Sequence, residues 1–178
     1  EDYGIPMGYF ISPFQDKKYY ITSGFGQRTR PTKGASKNHK GVDLSSESGT
    51  QPVRATADGV VYSSGFGPSG GYYVNLYHPD VKTQTRYFHM AAMPTLRPGD
   101  WVQQGEILGQ EGSTGVSSGP HLHYEILPRP NFRSDGIAFA DIQTFRGSQV
   151  NPLHYNQSIR KASGKDLTKY APVSGQEN

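Results

Sequence analysis

The sequence predicts a mainly β fold, an antiparallel sheet or sandwich with long loops and little helix. Glycine, proline and tyrosine number 22, 13 and 12 among 178 residues, which favours strands joined by turns over packed amphipathic helices. Short apolar stretches alternate with glycine bends, and no helical window of useful length competes in the central part of the chain. A chain of this length buries one core, so we expect a single domain with loose ends.

Regular turn signals divide the chain into short strands. Residues 1–18 are mixed and interrupted by proline, so they form either an ordered arm or a frayed terminus. From Tyr19, a short apolar run, a glycine-rich bend and a basic polar loop lead to a second strand at 42–44. The stretches 58–64 and 72–78 are rich in β-branched and aromatic residues, and they predict the next two strands.

The second half of the core continues this pattern. The stretch "TQTRYFHM" at 83–90 follows a turn at Pro79 and Asp80, and it predicts the second strand of a hairpin that ends near His89. Two short apolar pieces between glycine bends come next, and "PHLHYEIL" at 120–127 predicts one more strand. Beyond this strand the pattern weakens.

We expect an N-terminal arm at 1–18, one domain at 19–155 and a polar C-terminal tail at 156–178. Within the domain, the connection at 128–150 carries five scattered apolar residues that either cap the core or cover a groove wall. We favour capping, because apolar residues in a loop more often pack than bind. The tail is predicted to be a linker or a short helix with little order near its end.

Charge and cysteine content exclude several classes of protein. Lysine and arginine number 18 against 15 acidic residues, and this net charge of +3 is too mild to indicate a nucleic-acid partner. The absence of cysteine excludes disulfides, thiolate metal ligands and thiol nucleophiles, so any metal must use histidine and carboxylate. No apolar stretch approaches the roughly 20 residues of a membrane-spanning helix, so no membrane span is expected.

Four of the six histidines lie in two short motifs or at the end of a strand. His39 and Asp43 form an H-x-x-x-D pair on a chain that Gly41 bends, so both side chains can face one point. His121 and His123 are two residues apart on a predicted strand, so both point to the same face. Zinc accepts imidazole and carboxylate, and its catalytic sites commonly use three protein ligands plus water. The pattern therefore predicts a zinc site.

These motifs occur in an order that resembles peptidase family M23, the lysostaphin-like zinc endopeptidases. The H-x-x-x-D pair, a strand ending in "YFHM" and then "GSTGVSSGPHLHYEI" are similar to that family, as are "SGFGQR", "GVDLSSESGTQPVRATADGVV" and "GDWVQQGEILG". The resemblance covers residues 19–127 and touches the chain again at "VNPLHY". It implies a β core with a narrow substrate groove, and the connection at 128–150 is longer than in a minimal M23 domain.

The resemblance also implies a role for each site residue. His39, Asp43 and His123 are the implied ligands of one zinc ion, and His121 and His89 are the implied catalytic histidines that do not bind the metal. A neutral histidine, with a reference pKa of about 6.5, can take a proton from zinc-activated water, and a second histidine can stabilise the carbonyl oxygen. The sequence leaves open which histidine has which role.

The implied activity is hydrolysis of peptide cross-links or stem peptides of bacterial peptidoglycan, by a monomer that is secreted or lies in the cell envelope. The chain begins with Glu1-Asp2-Tyr3 and carries no signal segment, so we interpret it as a processed or excised piece. The alternative is a catalytically silent M23-like domain that binds the wall or activates an amidase, although such domains usually lose metal ligands. A lipoyl or biotin carrier would need a displayed lysine, and Lys82 lacks the expected sequence context.

Three further features carry weaker expectations. His78 has no partner at metal-ligand spacing and is expected to stabilise the turn that follows it, while His154 is expected at the surface. The glycines of the loop before the last strand, Gly112, Gly115 and Gly119, are expected to build a tight loop that brings this strand close to the metal.

Overall fold

The computed structural model describes residues 3–27, 33–35, 37–128 and 148–159. Within these residues the named elements are eleven strands, a 3-10 helix after β7 and a short α-helix. In chain order they are β1 (Tyr19–Ser23), β2 (Gly26–Gln27), β3 (Asn38–His39), β4 (Val42–Ser46), β5 (Pro52–Arg54), β6 (Gly59–Gly67), β7 (Gly71–His78), the 3-10 helix (Pro79–Val81), β8 (Thr83–Met90), β9 (Trp101–Val102), β10 (Ile107–Gln110), β11 (Leu122–Pro128) and α1 (Pro152–Tyr155). The apolar residues of the 128–150 connection and nearly all of the predicted tail lie outside the described residues.

The main structural unit is a seven-stranded sheet in the order β1-β4-β11-β8-β7-β6-β9. All of its neighbouring strands are antiparallel, and two small two-stranded sheets, β10-β5 and β2-β3, accompany it. The predicted mainly antiparallel β fold is therefore confirmed. The strands predicted at 72–78 and 83–90 match β7 and β8 within one residue, whereas the strand predicted at 58–64 extends to Gly67.

Strand β11 shows why the sheet forms and which way its faces point. Leu122, Tyr124 and Ile126 are fully buried in the hydrophobic core, and burial of each such side chain contributes roughly 1.5–3 kcal/mol. His123 and Glu125 alternate with them and line a cleft on the opposite side. Alternating side chains of β11 thus form an apolar face that packs on the core and a polar face that lines the cleft.

The described part of the N-terminal arm is packed against the core. Phe10 and Phe14 are both buried, and their rings make edge contacts with those of His78 and Tyr19, respectively. The backbone N–H of Ile11 also donates to the carbonyl oxygen of Thr56, at 2.9 Å. Aromatic burial and main-chain hydrogen bonds together order this segment.

His78 does not stabilise the following turn as expected. It is the last residue of β7 and fully buried, and its side chain makes no capping hydrogen bond to the 3-10 helix. Nδ1 lies 2.8 Å from the carbonyl oxygen of Asp58, so this nitrogen carries the proton, and Nε2 accepts from the Thr85 hydroxyl at 2.7 Å. The expectation was wrong because sequence spacing around a turn does not reveal a partner across the sheet.

The neutral tautomer of His78 orients a chain of buried hydrogen bonds. The Thr85 hydroxyl donates its hydrogen bond to the His78 ring, so its oxygen accepts from the Tyr87 hydroxyl at 2.8 Å. The Tyr87 oxygen in turn accepts from the Thr56 hydroxyl at 2.9 Å. Thr56 accepts in turn from the Tyr124 hydroxyl at 2.9 Å, and the Asn156 amide donates to Tyr124 at 3.3 Å. All members are fully buried, so a reversed or missing donor would leave an unsatisfied polar group in the core.

This arrangement predicts a pH-dependent stability. Burial lowers the pKa of His78 to about 4, despite the opposing effect of the Asp58 carbonyl, whereas an unfolded histidine titrates near 6.5. Between these two values the unfolded chain binds a proton that the folded protein excludes. The contribution of His78 to stability is therefore complete above pH 6.5 and falls by ~2 kcal/mol on going to pH 5.

Urea unfolding of the protein and of His78→Asn at pH 7.5 and pH 5.0 measures this effect. We expect the variant to be less stable at pH 7.5 but to lose less stability than the parent on acidification. The other titrating groups are common to both proteins, so the difference between the two losses isolates His78. Equal losses in both proteins would contradict the proposed neutral state of this ring.

Candidate metal centre and active-site cleft

A cleft of about 700 Å³ opens on the face of the sheet that carries His123. Residues of β1, β4, β8 and β11 contribute to its lining, together with the segments 69–70 and 116–121. All five residues predicted for the site line this cleft: His39, Asp43, His89, His121 and His123. The fold therefore brings the two sequence motifs and the end of β8 to one place.

Three of these residues present one ligand atom each to a common point. Nε2 of His39 lies 3.1 Å from Oδ1 of Asp43 and 3.1 Å from Nδ1 of His123, and the last two atoms are 3.0 Å apart. Ligand atoms around a tetrahedral zinc ion with bonds of ~2.0 Å lie about 3.3 Å from one another. The donor triangle, as we call these three atoms, therefore has the size of one face of a metal coordination shell.

The hydrogen bonds on the far side of each ring show which atoms carry lone pairs. Nδ1 of His39 lies 2.8 Å from the carbonyl oxygen of Gly24, which can only accept, so this nitrogen carries a proton and Nε2 does not. Nε2 of His123 lies 2.7 Å from Oε2 of Glu125, which accepts its proton in a hydrogen bond, so Nδ1 is the nitrogen whose lone pair a metal ion would use in place of a proton. Two imidazole lone pairs and one carboxylate of Asp43 thus converge, which is the donor set of a metal site.

The charges around the donor triangle favour a cation at its centre. Burial opposes the ionisation of Asp43, but the His123 and His39 rings beside its carboxyl group hold the pKa of this group well below the usual range. Burial also disfavours the imidazolium of His123, yet Asp43 and Glu125 together raise its pKa to about 9. A positive charge is therefore stabilised at this point, and a metal ion would compete there with a proton.

Gly41 explains how the H-x-x-x-D pair reaches β11. It lies between β3 and β4, which carry His39 and Asp43, and a Cβ at this position would overlap the carbonyl oxygen of Tyr124. Only glycine allows so close an approach of the two backbones. The pairing of Asp43 with His123 in the antiparallel register of β4 and β11 then completes the triangle.

A β-bulge places His89 in the cleft. Between Tyr72 and Val74 of β7, strand β8 contains one extra residue, so Phe88 and His89 oppose a single partner. His89 has a φ of +68°, and its N–H donates to the carbonyl of residue 70 at 2.7 Å. Because of the bulge, two successive side chains of β8 line the cleft instead of pointing to opposite faces.

The His89 ring is held in one tautomer beside the donor triangle. Nδ1 donates to the carbonyl oxygen of Thr114 at 2.7 Å, so the lone pair lies on Nε2. The ring centroid is 4.5 Å from that of His121. Burial lowers the pKa of His89 to about 4, with the His121 and His123 charges acting in the same direction, so the ring is neutral at neutral pH.

His121 has a matching arrangement on the other side of the cleft. Its Nδ1 lies 3.0 Å from the carbonyl oxygen of Gly119 and 3.2 Å from the Ser117 hydroxyl, so the carbonyl fixes a proton on this nitrogen. Nε2 lies 3.9 Å from Oδ1 of Asp43, too far for a hydrogen bond but close to the donor triangle. His121 and His89 therefore each direct an unprotonated nitrogen towards the same part of the cleft.

The glycine-rich loop follows a tight course that supports both rings. Gly115 has a φ of +77°, and a Cβ there would overlap the backbone nitrogen of Gly71 at the start of β7. The Thr114 hydroxyl donates to the carbonyl of Met90 at 2.6 Å and accepts from the N–H of Tyr72 at 3.0 Å. These contacts anchor the loop to β7 and β8, and so fix the carbonyl that holds His89.

Sequence reasoning missed two residues that contact His123. Glu125 accepts from its Nε2, and the Phe88 ring stacks on it with an interplanar angle of 12° and centroids 5.4 Å apart. The position of Glu125, two residues beyond a candidate ligand on a strand, was a signal that it shares the same face. His154 lies in α1, where its ring contacts that of Tyr155 and stays partly exposed.

An antiparallel sheet with two imidazoles and a carboxylate converging in an open cleft, beside two further imidazoles, defines the class of site found in mononuclear metallohydrolases. A comparison of the sequence with family models agrees with this class. The model of peptidase family M23 matches residues 37–152, which include all five candidate site residues, four histidines and one aspartate. The chain belongs to peptidase family M23.

Two curated proteins and one solved structure illustrate what the chain is similar to. The chain is 38% identical over 108 residues to the peptidoglycan DD-endopeptidase ShyC of Vibrio cholerae, covering 60% of this chain and 24% of that protein. It is 41% identical over 134 residues to the DD-carboxypeptidase/endopeptidase Mpg of Neisseria meningitidis, covering 67% and 30%. The crystal structure of a zinc-containing peptidase from Vibrio cholerae is similar with a TM-score of 0.58 and 34% identity, over 68% of this chain and 37% of that one.

The chain thus spans less than a third of the length of these two curated relatives. Among the residues that the structure describes, no helix has the length and apolar character needed to cross a membrane.

Proposed function

We propose that this chain is a zinc-dependent endopeptidase that hydrolyses peptide cross-links or stem peptides of bacterial peptidoglycan. The observation that carries this proposal is the convergence of three lone pairs in an open cleft, beside two imidazoles that are poised to accept protons. The ligand set supports zinc, and so does the similarity to a zinc-containing peptidase. The peptidoglycan substrate is supported by the activity that names the relative ShyC.

Each residue of the site has a role in this reaction. A bound Zn²⁺ ion would polarise the scissile carbonyl and lower the pKa of a coordinated water. His39, Asp43 and His123 would hold it. His121 and His89 each keep a proton on Nδ1 and present Nε2 to the cleft, so either ring can accept a proton there. The ring that has done so becomes a donor to the carbonyl oxygen or to the leaving amine.

The walls of the cleft favour an extended peptide with small side chains. Gly34, Gly70 and Gly119 line it, and a Cβ at Gly70 would lie 3.4 Å from the ring of Phe88. Side chains are thus withheld from the walls at these positions, which leaves room for an extended peptide backbone to lie along the cleft. Extended stem or bridge peptides built from small residues have this shape.

The remaining parts of the proposal follow from the substrate. Peptidoglycan lies outside the cytoplasmic membrane, so the protein would act as a secreted or envelope enzyme. The described site residues come from one chain, which suits a monomer. We assign catalysis to residues 19–155, with the described part of the arm at 1–18 packed on this domain and the polar tail at 156–178 following it in the sequence. The presence of all five site residues favours hydrolysis over the catalytically silent, wall-binding or amidase-activating alternative.

Digestion of purified peptidoglycans with different bridge compositions tests the proposed activity. We expect new amine and carboxyl termini at peptide bonds, identified by mass spectrometry, when the protein is incubated with zinc. A strong chelator should stop cleavage, and added zinc should restore it. If no new amine termini form with any of the substrates, or if the chelator leaves cleavage unchanged, the proposal is wrong.

A further inference from the structure

Glu125 is a buried carboxylate to which the roles above assign no task. Its side chain is 6% exposed, and it lies two residues after His123 on β11, on the face that lines the cleft. Oε2 is 2.7 Å from Nε2 of His123, the nitrogen opposite the one in the donor triangle. We propose that Glu125 is a positioning residue that holds His123 in the tautomer and ring orientation needed to bind the metal, an inference that rests on the proposed zinc function.

The carboxylate itself is held in place from the neighbouring strand. Arg86 lies directly opposite Glu125 in the register of β8 and β11, with Nη1 3.5 Å from Oε1. Nε of Arg86 donates to the hydroxyl of Tyr62 at 3.3 Å, and the side chain of Gln149 makes a further hydrogen bond to Glu125. One carboxylate oxygen therefore faces this cationic support, while the other faces His123.

Stacking alone would not select the orientation of the His123 ring. Phe88 lies nearly parallel to it and restricts tilting, but a half-turn of the ring about its Cβ–Cγ bond would keep the stack. That half-turn would replace Nδ1 by a carbon atom at the donor triangle. The hydrogen bond to Glu125 is lost on the same rotation, so outside the donor triangle it is the contact that distinguishes the two orientations.

Two substitutions at Glu125 separate positioning from a general structural role. In Glu125→Gln the amide oxygen can still accept from Nε2, whereas Glu125→Met has a similar volume and no acceptor. We expect the Met variant to bind zinc about 10–100-fold more weakly, as measured by competition with a chromophoric chelator, and the Gln variant to stay within a few-fold of the parent. Thr85→Val is the matched control, because it removes two buried hydrogen bonds, to His78 and Tyr87, at a residue of β8 that does not line the cleft, and it should lower stability without changing zinc affinity.

Nuclear magnetic resonance of the zinc-loaded proteins provides a readout besides affinity. In the parent and the Gln variant, the Nε2 proton of His123 should exchange slowly with water, and in the Met variant it should exchange fast. If Arg86, left without its partner, prevents the Met variant from folding, the double variant Arg86→Met with Glu125→Met removes both charges and gives the same test.

Failure of this inference differs from failure of the proposed function. If the parent binds zinc and the Met variant binds it equally tightly with an unchanged Nε2 proton, Glu125 does not position His123, and the metal site itself stands. If the parent binds no stoichiometric zinc, both proposals are overturned.

Discussion

Replacing Asp43 by alanine is expected to abolish stoichiometric zinc binding and to lower peptidoglycan hydrolysis by about 10³-fold or more. Asp43 is the one carboxylate of the donor triangle, and its Oδ1 lies within 3.1 Å of both ligand nitrogens. Without it, two imidazoles would have to hold the ion alone. Loss of a metal that contributes several kcal/mol to transition-state stabilisation corresponds to a rate decrease of this size.

Metal content by atomic spectroscopy and the release of new amine termini measure the two effects. Asp43→Asn keeps the side-chain volume and should show the same direction of change in a folded protein. Asp16→Asn is the control, because Asp16 accepts a hydrogen bond from a neighbouring backbone N–H at the surface, outside the cleft. Retention of one tightly bound zinc ion per chain in Asp43→Ala would place the metal elsewhere.

The second large effect concerns the two histidines that we assign to proton transfer. His89→Ala and His121→Ala should each lower kcat by about 10²–10⁴-fold while one zinc ion per chain stays bound. The reason is that both rings present an unprotonated Nε2 to the cleft without belonging to the donor triangle. Kinetics on a defined peptide substrate together with metal analysis check this separation of roles.

The pH profile of the same variants tells the two histidines apart. A general base must be unprotonated, so activity rises with pH through its pKa and this acidic limb should disappear when the base is removed. Removal of the residue that stabilises the carbonyl oxygen should lower kcat and keep the limb. His154→Gln controls for the loss of a histidine away from the cleft, and full kcat in both alanine variants would exclude the proposed mechanism.

That the five candidate site residues lie near one another could be predicted in part from local spacing, and the structure places all five in one cleft. Residues two apart on a strand share a face, so His121 and His123 were expected to point the same way, although His121 lies one residue before the start of β11. His39 and Asp43 could be predicted to face one point because Gly41, which lies between them, allows the chain to bend. The strands of the core were equally predictable, since glycine and proline mark their ends and β-branched residues fill them.

The features that sequence reasoning missed all depend on partners distant along the chain. The bulge at Phe88 and His89 exists only in the pairing of β8 with β7, so strict alternation would have pointed one of these side chains away from the cleft. The burial of His78 depends on Thr85 and on the carbonyl of Asp58, which the chain brings together only in the folded sheet. No local pattern records such contacts.

The left-handed backbone of His89 implies a conflict between folding and catalysis. A φ of +68° costs a non-glycine residue roughly 1–2 kcal/mol relative to glycine, which adopts it freely. A chain optimised only for stability would therefore carry glycine at position 89 and would lose the imidazole that faces the cleft. At position 89, a substitution that stabilises the fold is therefore expected to lower the proposed activity. Engineering for higher stability should keep His89 in its strained conformation.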